Sequence, residues 1–214
     1  MYKVWMVSPA FITGFALGFS LILAIGAQNA MVIRFGLMRR HVFAVVLFCA
    51  IADALLIIVG VAGGALLIAD FANQHKAALF GLAALWLAGY GGLRLRGAIR
   101  GGGGICVNDT DTGGLMAALT TAALLTFGNP HVYLDTVVLV GAVSLQFDGI
   151  QKLIYGVGAA LASFVFFFSL GYGASLLAPQ MRRPGAWRVL DGIIAAIMFL
   201  LALRLAHEGG WVAA

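Results

Sequence analysis

Charged side chains are scarce in this chain. They make up 10% of its 214 residues, whereas hydrophobic residues make up 63%. Soluble domains carry about 25% charged residues, so this chain has too few charges to cover a water-facing surface of its size. The sequence therefore predicts an all-α integral membrane protein and excludes an ordinary soluble domain.

Cysteine motifs and nucleotide-binding motifs are also missing. Cys49 and Cys106 have no CxxC spacing, and two cysteines do not indicate a disulfide framework. The phosphate-binding pattern GxxxxGK[ST] is absent, which disfavours direct drive by ATP. No cofactor or metal site is predicted. The net charge of +5 does not indicate nucleic acid, because the basic residues stand in short groups between apolar runs.

Six apolar runs approach the length of about 20 residues that a membrane-spanning helix needs. They cover residues 7–33, 42–69, 77–93, 115–145, 153–178 and 189–206. The first run resembles a signal peptide but exceeds the usual apolar length of about 7–15 residues, so we interpret it as a retained helix. The sixth run has a clean apolar core only from Gly192 to Leu203, and whether it spans the membrane stays open.

A glycine-rich stretch divides these runs into two groups of three. Seven of the 18 residues from 97 to 114 are glycine, which predicts a flexible linker between a first repeat, 1–96, and a second, 115–214. With three helices per half, the second half enters the membrane upside down relative to the first. Such inverted repeats are typical of secondary transporters.

The basic residues predict the orientation of the helices. Four of them lie on one side: Lys3, Lys76, Lys152 and Arg204. Nine flank the first, third and fifth connections: Arg34, Arg39, Arg40, Arg94, Arg96, Arg100, Arg182, Arg183 and Arg188. The positive-inside rule therefore predicts that these three connections are cytoplasmic and that both termini lie outside.

Residues 128–135, Gly-Asn-Pro-His-Val-Tyr-Leu-Asp, interrupt the fourth run. Pro130 removes a backbone donor and disfavours helical geometry at Asn129. Because Asn is a favoured N-cap and Pro a favoured first residue, we expect a half-helix to start here. Its free N–H groups near His131 and Tyr133 would suit a substrate carboxylate. A purely structural kink is the alternative.

Two acidic residues lie deep in the apolar runs. Asp53 is eleven residues beyond Val42, and Asp135 is four residues after His131, on the same helix face. A charged group near the bilayer centre costs about 2.5–3.5 kcal/mol on the mildest scale, which favours a functional role for both. Each could bind a substrate cation or carry a coupling proton. The alternatives are an arginine partner for Asp135 and a structural hydrogen bond for Asp53.

Gln28 and Asn29 stand past the middle of the first run, at a position that matches Asn129 and Pro130 in the fourth. Their side chains could interrupt the helix and contact the substrate, or could simply bond neighbouring helices. Interrupted helices at matching positions of two repeats point to a substrate site. Arg34, five residues later, is interpreted as an anchor at the cytoplasmic end.

Three segments resemble the LysE-type basic amino-acid exporters, and within them the bacterial arginine exporters: GAQNA at 26–30 with VIR at 32–34, ADALL at 52–56 and NPHVYLDT at 129–136. The resemblance covers nearly the whole chain. It implies an inner-membrane transporter of L-arginine or L-lysine, with a homodimer as a family-level expectation. Exporters of neutral amino acids are similar at Asn-Pro but lack the downstream His-Tyr-Asp pattern, so Asp135 favours a cationic substrate.

Electrostatics then predicts a coupled transporter rather than an enzyme. Outward movement of one positive charge against an inside-negative potential costs about 2.3 kcal/mol per 100 mV, so export needs an inward ion, most simply a proton. The hypothesis is that Asp53 and Asp135 exchange protons for substrate during alternating access. Export of neutral amino acids or metal cations is the alternative. An intramembrane aspartyl protease is disfavoured, because the Gly-x-Gly-Asp context that resemblance to such proteases implies is missing.

Overall fold

The computed structural model describes residues 8–23, 26–64, 74–100, 114–179 and 184–211, and all regular structure in these ranges is helical. The helices are α1 Pro9–Ile22, α2 Ala27–Met38, α3 Val42–Val59, α4 Lys76–Arg100, α5 Leu115–Phe127, α6 Pro130–Ser144, α7 Gly149–Leu176 and α8 Pro184–Glu208. Leu134–Leu139, inside α6, has the wider π-helical winding. Gly60–Gly64 continues α3 but is kinked at Gly63, whose φ of 108° is not helical.

Helix length and apolar composition indicate how the described chain crosses a membrane. Four helices are long and apolar enough to do so alone: Val42–Gly64, Ala77–Arg100, Gly149–Leu176 and Gly185–Glu208. The pair α1 and α2, bent by 81°, and the pair α5 and α6, bent by 65°, meet the same criterion only when joined. The described residues therefore hold four candidate spans, or six if each bent pair is one span.

Two helices extend beyond the runs that hydropathy outlines. α8 has 25 residues, about 37 Å at 1.5 Å per residue, which exceeds the hydrocarbon thickness of about 30 Å. The sixth run is therefore part of a helix long enough to span. α4 continues to Arg100, so the first four residues of the predicted linker are helical. The rest of that linker up to residue 113, including Cys106, lies outside the described residues, as do Lys3, Arg182 and Arg183.

Small residues bring the helices close together. α1 packs along α7, where Gly14 lies against the carbonyl of Tyr155 and Gly18 against Ala159. A methyl group on Gly14 would collide with the backbone of Tyr155, so only glycine fits there without a shift of α7. The Gly-xxx-Gly pattern of α1 therefore serves packing within the chain.

The most extensive helix contacts join the two halves of the chain. α4 packs on α8, and α7 packs on α1, α2 and α3. Between α2, α4 and α8 lies an apolar core in which Met31, Leu87 and Met198 are each at most 2% exposed. This core holds together the three helices that supply the buried ion cluster described below.

Candidate functional site

A cavity of about 360 Å³ lies where the two helix breaks approach each other. Its polar lining residues are Ser20, Gln28, Asn29, Asp53, Asn129, His131, Asp135, Thr136 and Arg204. The structure thus brings together six residues that the sequence singles out: Gln28, Asn29, Asp53, Asn129, His131 and Asp135. They come from α2, α3 and α6, which are adjacent only in the folded chain.

Pro130 and Tyr133 do not line this cavity. They line a separate, more apolar cavity of about 520 Å³, together with Phe80 of α4. The structure therefore places both residues on the side of α6 that faces away from the two carboxylates. Pro130 begins the helix, and Tyr133 supports the break.

The first break exposes the N-terminus of α2 to the cavity. Gly26 is the N-cap, in extended geometry, and it has no side chain to cap the helix. The first N–H groups of a helix have no partner within it, so this end presents backbone donors and a partial positive charge. Asn29 donates from Nδ2 to the carbonyl of Ile22, the last residue of α1, at 2.8 Å. One of the two predicted amides therefore bridges the break.

The second break follows the same plan with a different cap. Asn129 is the N-cap of α6, and its side chain accepts the N–H of His131 at 3.1 Å. The hydroxyl of Tyr133 donates to the carbonyl of Phe127, the last residue of α5, at 2.9 Å. One backbone donor that could meet a substrate carboxylate is therefore already occupied here, whereas the N-cap of α2 supplies no such side chain.

Asp53 lies at the deep end of the cavity. Asp53 is 3% exposed, and its polar neighbours are the side chains of Gln28 and Ser163. Both side chains are near enough to act on the Asp53 carboxyl as hydrogen-bond donors, but within the described part of the chain Asp53 Oδ1, Gln28 Nε2 and Ser163 Oγ make no hydrogen bond of good geometry. A buried polar atom without a partner costs about 1–3 kcal/mol, so this trio would gain by bonding to a polar ligand.

Asp135 lies nearer the rim, among charged groups. His131 and Arg204 are the basic residues whose charges act on it. His131 Nε2 is 3.4 Å from Glu208 Oε2, and Arg204 donates from Nε to Glu208 Oε1 at 2.8 Å. The side chain of Arg204 is 66% exposed, so the cavity reaches the surface of the helical bundle at this end.

Comparison with known proteins identifies the family. The family model described as LysE type translocator matches residues 19–209. The chain belongs to the LysE type translocator family. This assignment confirms the resemblance noted in the three sequence segments.

Relatives of this LysE translocator cover most of its length. Two carry the name putative amino-acid transporter: Rv0488 of Mycobacterium tuberculosis, 42% identical over 84% of this chain and 88% of its own, and YggA of Aeromonas salmonicida, 38% identical over 90% and 93%. The arginine exporter protein ArgO of Salmonella paratyphi A is 35% identical over 92% of both chains. No solved structure matches the chain. The translocator is thus a membrane-embedded member of an amino-acid exporter family, and its family function is transport rather than enzymatic catalysis.

Several polar residues of this LysE translocator were not recognised as site residues in the sequence. The sequence indicates Arg204 only as an orientation signal and predicts no role for Glu208. The recurrence of Leu-Arg-Leu at 93–95 and 203–205 was the available clue to Arg204. Arg34, interpreted as an anchor, is 5% exposed and pairs with Asp191 of α8. Among the described residues, no group of three or more His, Cys, Asp or Glu side chains is arranged to hold a metal ion.

Proposed function

We propose that this LysE translocator exports L-arginine and L-lysine across the bacterial inner membrane in exchange for protons. The observation that carries the proposal is one cavity shared by two carboxylates, Asp53 and Asp135, and the N-terminus of α2, where Gly26 provides no capping side chain. A basic amino acid has the complementary groups, a carboxylate and cations. The relatives named arginine exporters point to the same substrate class.

In the proposed complex, the substrate carboxylate binds the backbone donors at Gly26 and Ala27, and the side-chain cation binds Asp135. The carboxylate is also favoured by the positive end of the α2 dipole. Gln28 and Asn129 line the space between these groups and offer amides to the substrate. A volume of about 360 Å³ lies within the range of small-ligand sites.

Proton coupling follows from the two carboxyl groups. Asp53 and Asp135 are close enough for their charges to interact. Two carboxylates in one low-dielectric site repel each other, which favours protonation of one of them, whereas a bound cation favours the ionised forms. Substrate binding therefore releases a proton, and substrate release on the other side of the membrane allows a proton to bind.

In many transporters alternating access is a movement of one structural repeat against the other, and we propose six spans arranged as two inverted repeats, 1–96 and 115–214. The helix contacts support this pairing. The packing of α1 and α2 on α7 has its counterpart in the packing of α5 and α6 on α3. Asp53 of α3 and Ser163 of α7, at matching places in the two repeats, are neighbours. A two-fold axis in the membrane plane would generate both relations.

Reconstitution in lipid vesicles tests the proposed function. Labelled arginine uptake is measured with and without an imposed pH gradient, for wild type and Asp135→Asn. Loss of a charged partner costs about 2–5 kcal/mol, so gradient-driven uptake by the variant is expected to fall by more than about tenfold.

Asp148→Asn is the matched control, since Asp148 is an exposed acid at the start of α7 and does not line the cavity. Wild-type uptake is expected for this variant. Unlabelled lysine should compete, whereas leucine and divalent metal ions should not. Equal gradient-driven uptake by Asp135→Asn and wild type would contradict the proposal.

A further inference from the structure

A buried ion cluster joins three helices away from the cavity. Asp191 of α8 is 1% exposed, and its Oδ1 accepts a hydrogen bond from Nη1 of Arg34 in α2. Nη1 of Arg94 in α4 lies 3.9 Å from the same oxygen. Two positive charges thus surround one negative charge.

Aromatic side chains complete this cluster. The guanidinium of Arg94 lies 4.7 Å from the ring centre of Tyr90 and donates to its hydroxyl at 2.9 Å, and the guanidinium of Arg34 lies 5.6 Å from the ring centre of Trp187. Rings at these distances stabilise the cations. Because a buried salt bridge often contributes little to folding stability, the cluster calls for an explanation other than stability.

The cluster and the cavity are separated along the two helices that contribute to both, α2 and α8. Along α8, Asp191 precedes the cavity residue Leu201 by ten positions, about 15 Å. Along α2, Arg34 lies five positions beyond the cavity residue Asn29. The apolar core of Met31, Leu87 and Met198 fills the space between α2, α4 and α8. A path from the cavity in this direction is therefore closed by an apolar layer and then by the ion cluster.

The two ends of the bundle differ in how deeply an equivalent arginine is buried. Arg94 and Arg204 occupy the same motif near the ends of α4 and α8. The side chain of Arg94 is 11% exposed and belongs to the cluster, whereas that of Arg204 is 66% exposed at the cavity rim. In an inverted repeat these equivalent residues lie on opposite sides of the membrane. We call the end of the bundle at the buried ion cluster the closed end. The end at Arg204, where the cavity reaches the protein surface, is the open end.

We propose that Arg34, Asp191 and Arg94 form the gate of the transport path at the closed end, and that Asp191 is the residue that holds it shut. The proposal rests on the transport function proposed above, and with the predicted orientation this gate faces the cytoplasm. Separation of Arg34 from Asp191 opens the path to Asp53. While the gate is closed, its net positive charge repels cationic amino acids and so opposes leakage.

Thiol accessibility tests the gate without any amino-acid substrate. Thr136, which lines the cavity, is changed to cysteine in a Cys49→Ala, Cys106→Ser background. A membrane-impermeant methanethiosulfonate is then applied to right-side-out and inside-out vesicles. With the native gate, Thr136→Cys is expected to react from the outer side and at least about tenfold more slowly from the inner side, because the inward-open state is a minor one.

Addition of Asp191→Asn is expected to raise the inner-side rate by about tenfold or more, since the closed state loses its central charge. Arg96→Gln is the matched control, because Arg96 is exposed and lies two residues beyond Arg94. It should leave both rates unchanged. An inner-side rate that Asp191→Asn does not alter, or a wild-type gate that admits the reagent equally from both sides, would overturn the proposal.

A cysteine pair covers the case in which Asp191→Asn does not accumulate in the membrane. Arg34→Cys with Asp191→Cys removes both charges, so no unpaired buried charge remains. A reversible bis-methanethiosulfonate bridge between the two thiols should abolish arginine exchange, and reduction should restore it. Undiminished exchange by the bridged protein contradicts the gate. Absence of exchange before bridging contradicts the transport function instead, and the accessibility experiment then decides the gate alone.

Discussion

At the scale of single residues, the two membrane-embedded acids have different surroundings. Asp53 is 3% exposed beside the uncharged side chains of Gln28 and Ser163, whereas Asp135 lies near the rim under the charges of His131 and Arg204. Burial disfavours the ionised form of both carboxyls, and only at Asp135 do nearby cations offset part of this effect. We therefore propose that Asp53 mainly transfers the proton and that Asp135 mainly binds the substrate cation.

Asp53→Asn tests this division of roles. Asparagine keeps the shape of a protonated carboxyl group but cannot release a proton. We expect arginine uptake driven by a pH gradient to fall by more than about tenfold, equivalent to about 1.4 kcal/mol, while exchange of internal for external arginine persists. Both assays use reconstituted vesicles, with Asp148→Asn as the control. Loss of exchange together with gradient-driven uptake would show that Asp53 is needed for substrate binding itself.

Single residues are also where sequence reasoning reaches its limit. The polar interruptions identified six residues that share the cavity, because polar groups in an apolar run are costly and few. The spacing of four places His131 and Asp135 on one face of α6, but which residues of the apolar run face the cavity is not predictable, since a helix that is apolar all round has no preferred face in its sequence. Pro130 and Tyr133 therefore turned out to face another cavity. The contact of Arg34 with Asp191 joins positions 157 residues apart, and one sequence contains no signal for it.

At the scale of helices, the two breaks are closed by side chains of the helices that follow them. Asn29 bonds the last carbonyl of α1, and Tyr133 bonds the last carbonyl of α5. Backbone groups freed inside a membrane need such partners, because no water is available there. The sequence predicted both interruptions from Gln-Asn and Asn-Pro. It could not predict the bonds that stabilise them, because these depend on the bend angle.

Tyr133→Phe measures the contribution of one of these bonds. The variant leaves the carbonyl of Phe127 without its donor, a loss of about 1 kcal/mol. For a protein of this size we expect Tm in detergent to fall by about 2–4 °C. Tyr172→Phe is the control, because Tyr172 is 48% exposed and exposed substitutions usually change stability by less than about 0.5 kcal/mol. Equal Tm values for the two variants would show that the bond does not stabilise the break.

At the scale of the whole molecule, the orientation of the chain decides which side of the membrane the open end and the closed end face. The cavity reaches the surface at Arg204, and the ion cluster of Arg34 lies at the other end. The ion cluster lies near the ends of α2 and α4, where the chain also carries the basic residues Arg39, Arg94, Arg96 and Arg100. The positive-inside rule assigns this end of the bundle to the cytoplasm. With this predicted orientation, the described conformation would be open to the outside.

Reporter fusions determine this orientation. Alkaline phosphatase fused after residue 214 is expected to be active, because the enzyme requires the oxidising exterior for its disulfides. The same reporter fused after Arg100 should be inactive, because the connection that follows α4 is predicted to be cytoplasmic. A cytoplasmic fluorescent reporter should give the reverse pattern at the two sites. An active phosphatase after Arg100 would reverse the assignment of the open and closed ends.

The bare N-terminus of α2 has a consequence for what the cell retains. In the proposed complex, the first backbone donors of this helix, which Gly26 does not cap, bind the substrate carboxylate. The amine formed by decarboxylation of arginine has the same guanidinium but no carboxylate, so it would meet Asp135 and leave those donors unpaired. Sites built around such bonds reject analogues that lack the bonding group by about 10⁴–10⁵-fold. A helix end without a capping side chain would thus let a bacterium release surplus arginine while it keeps its polyamines.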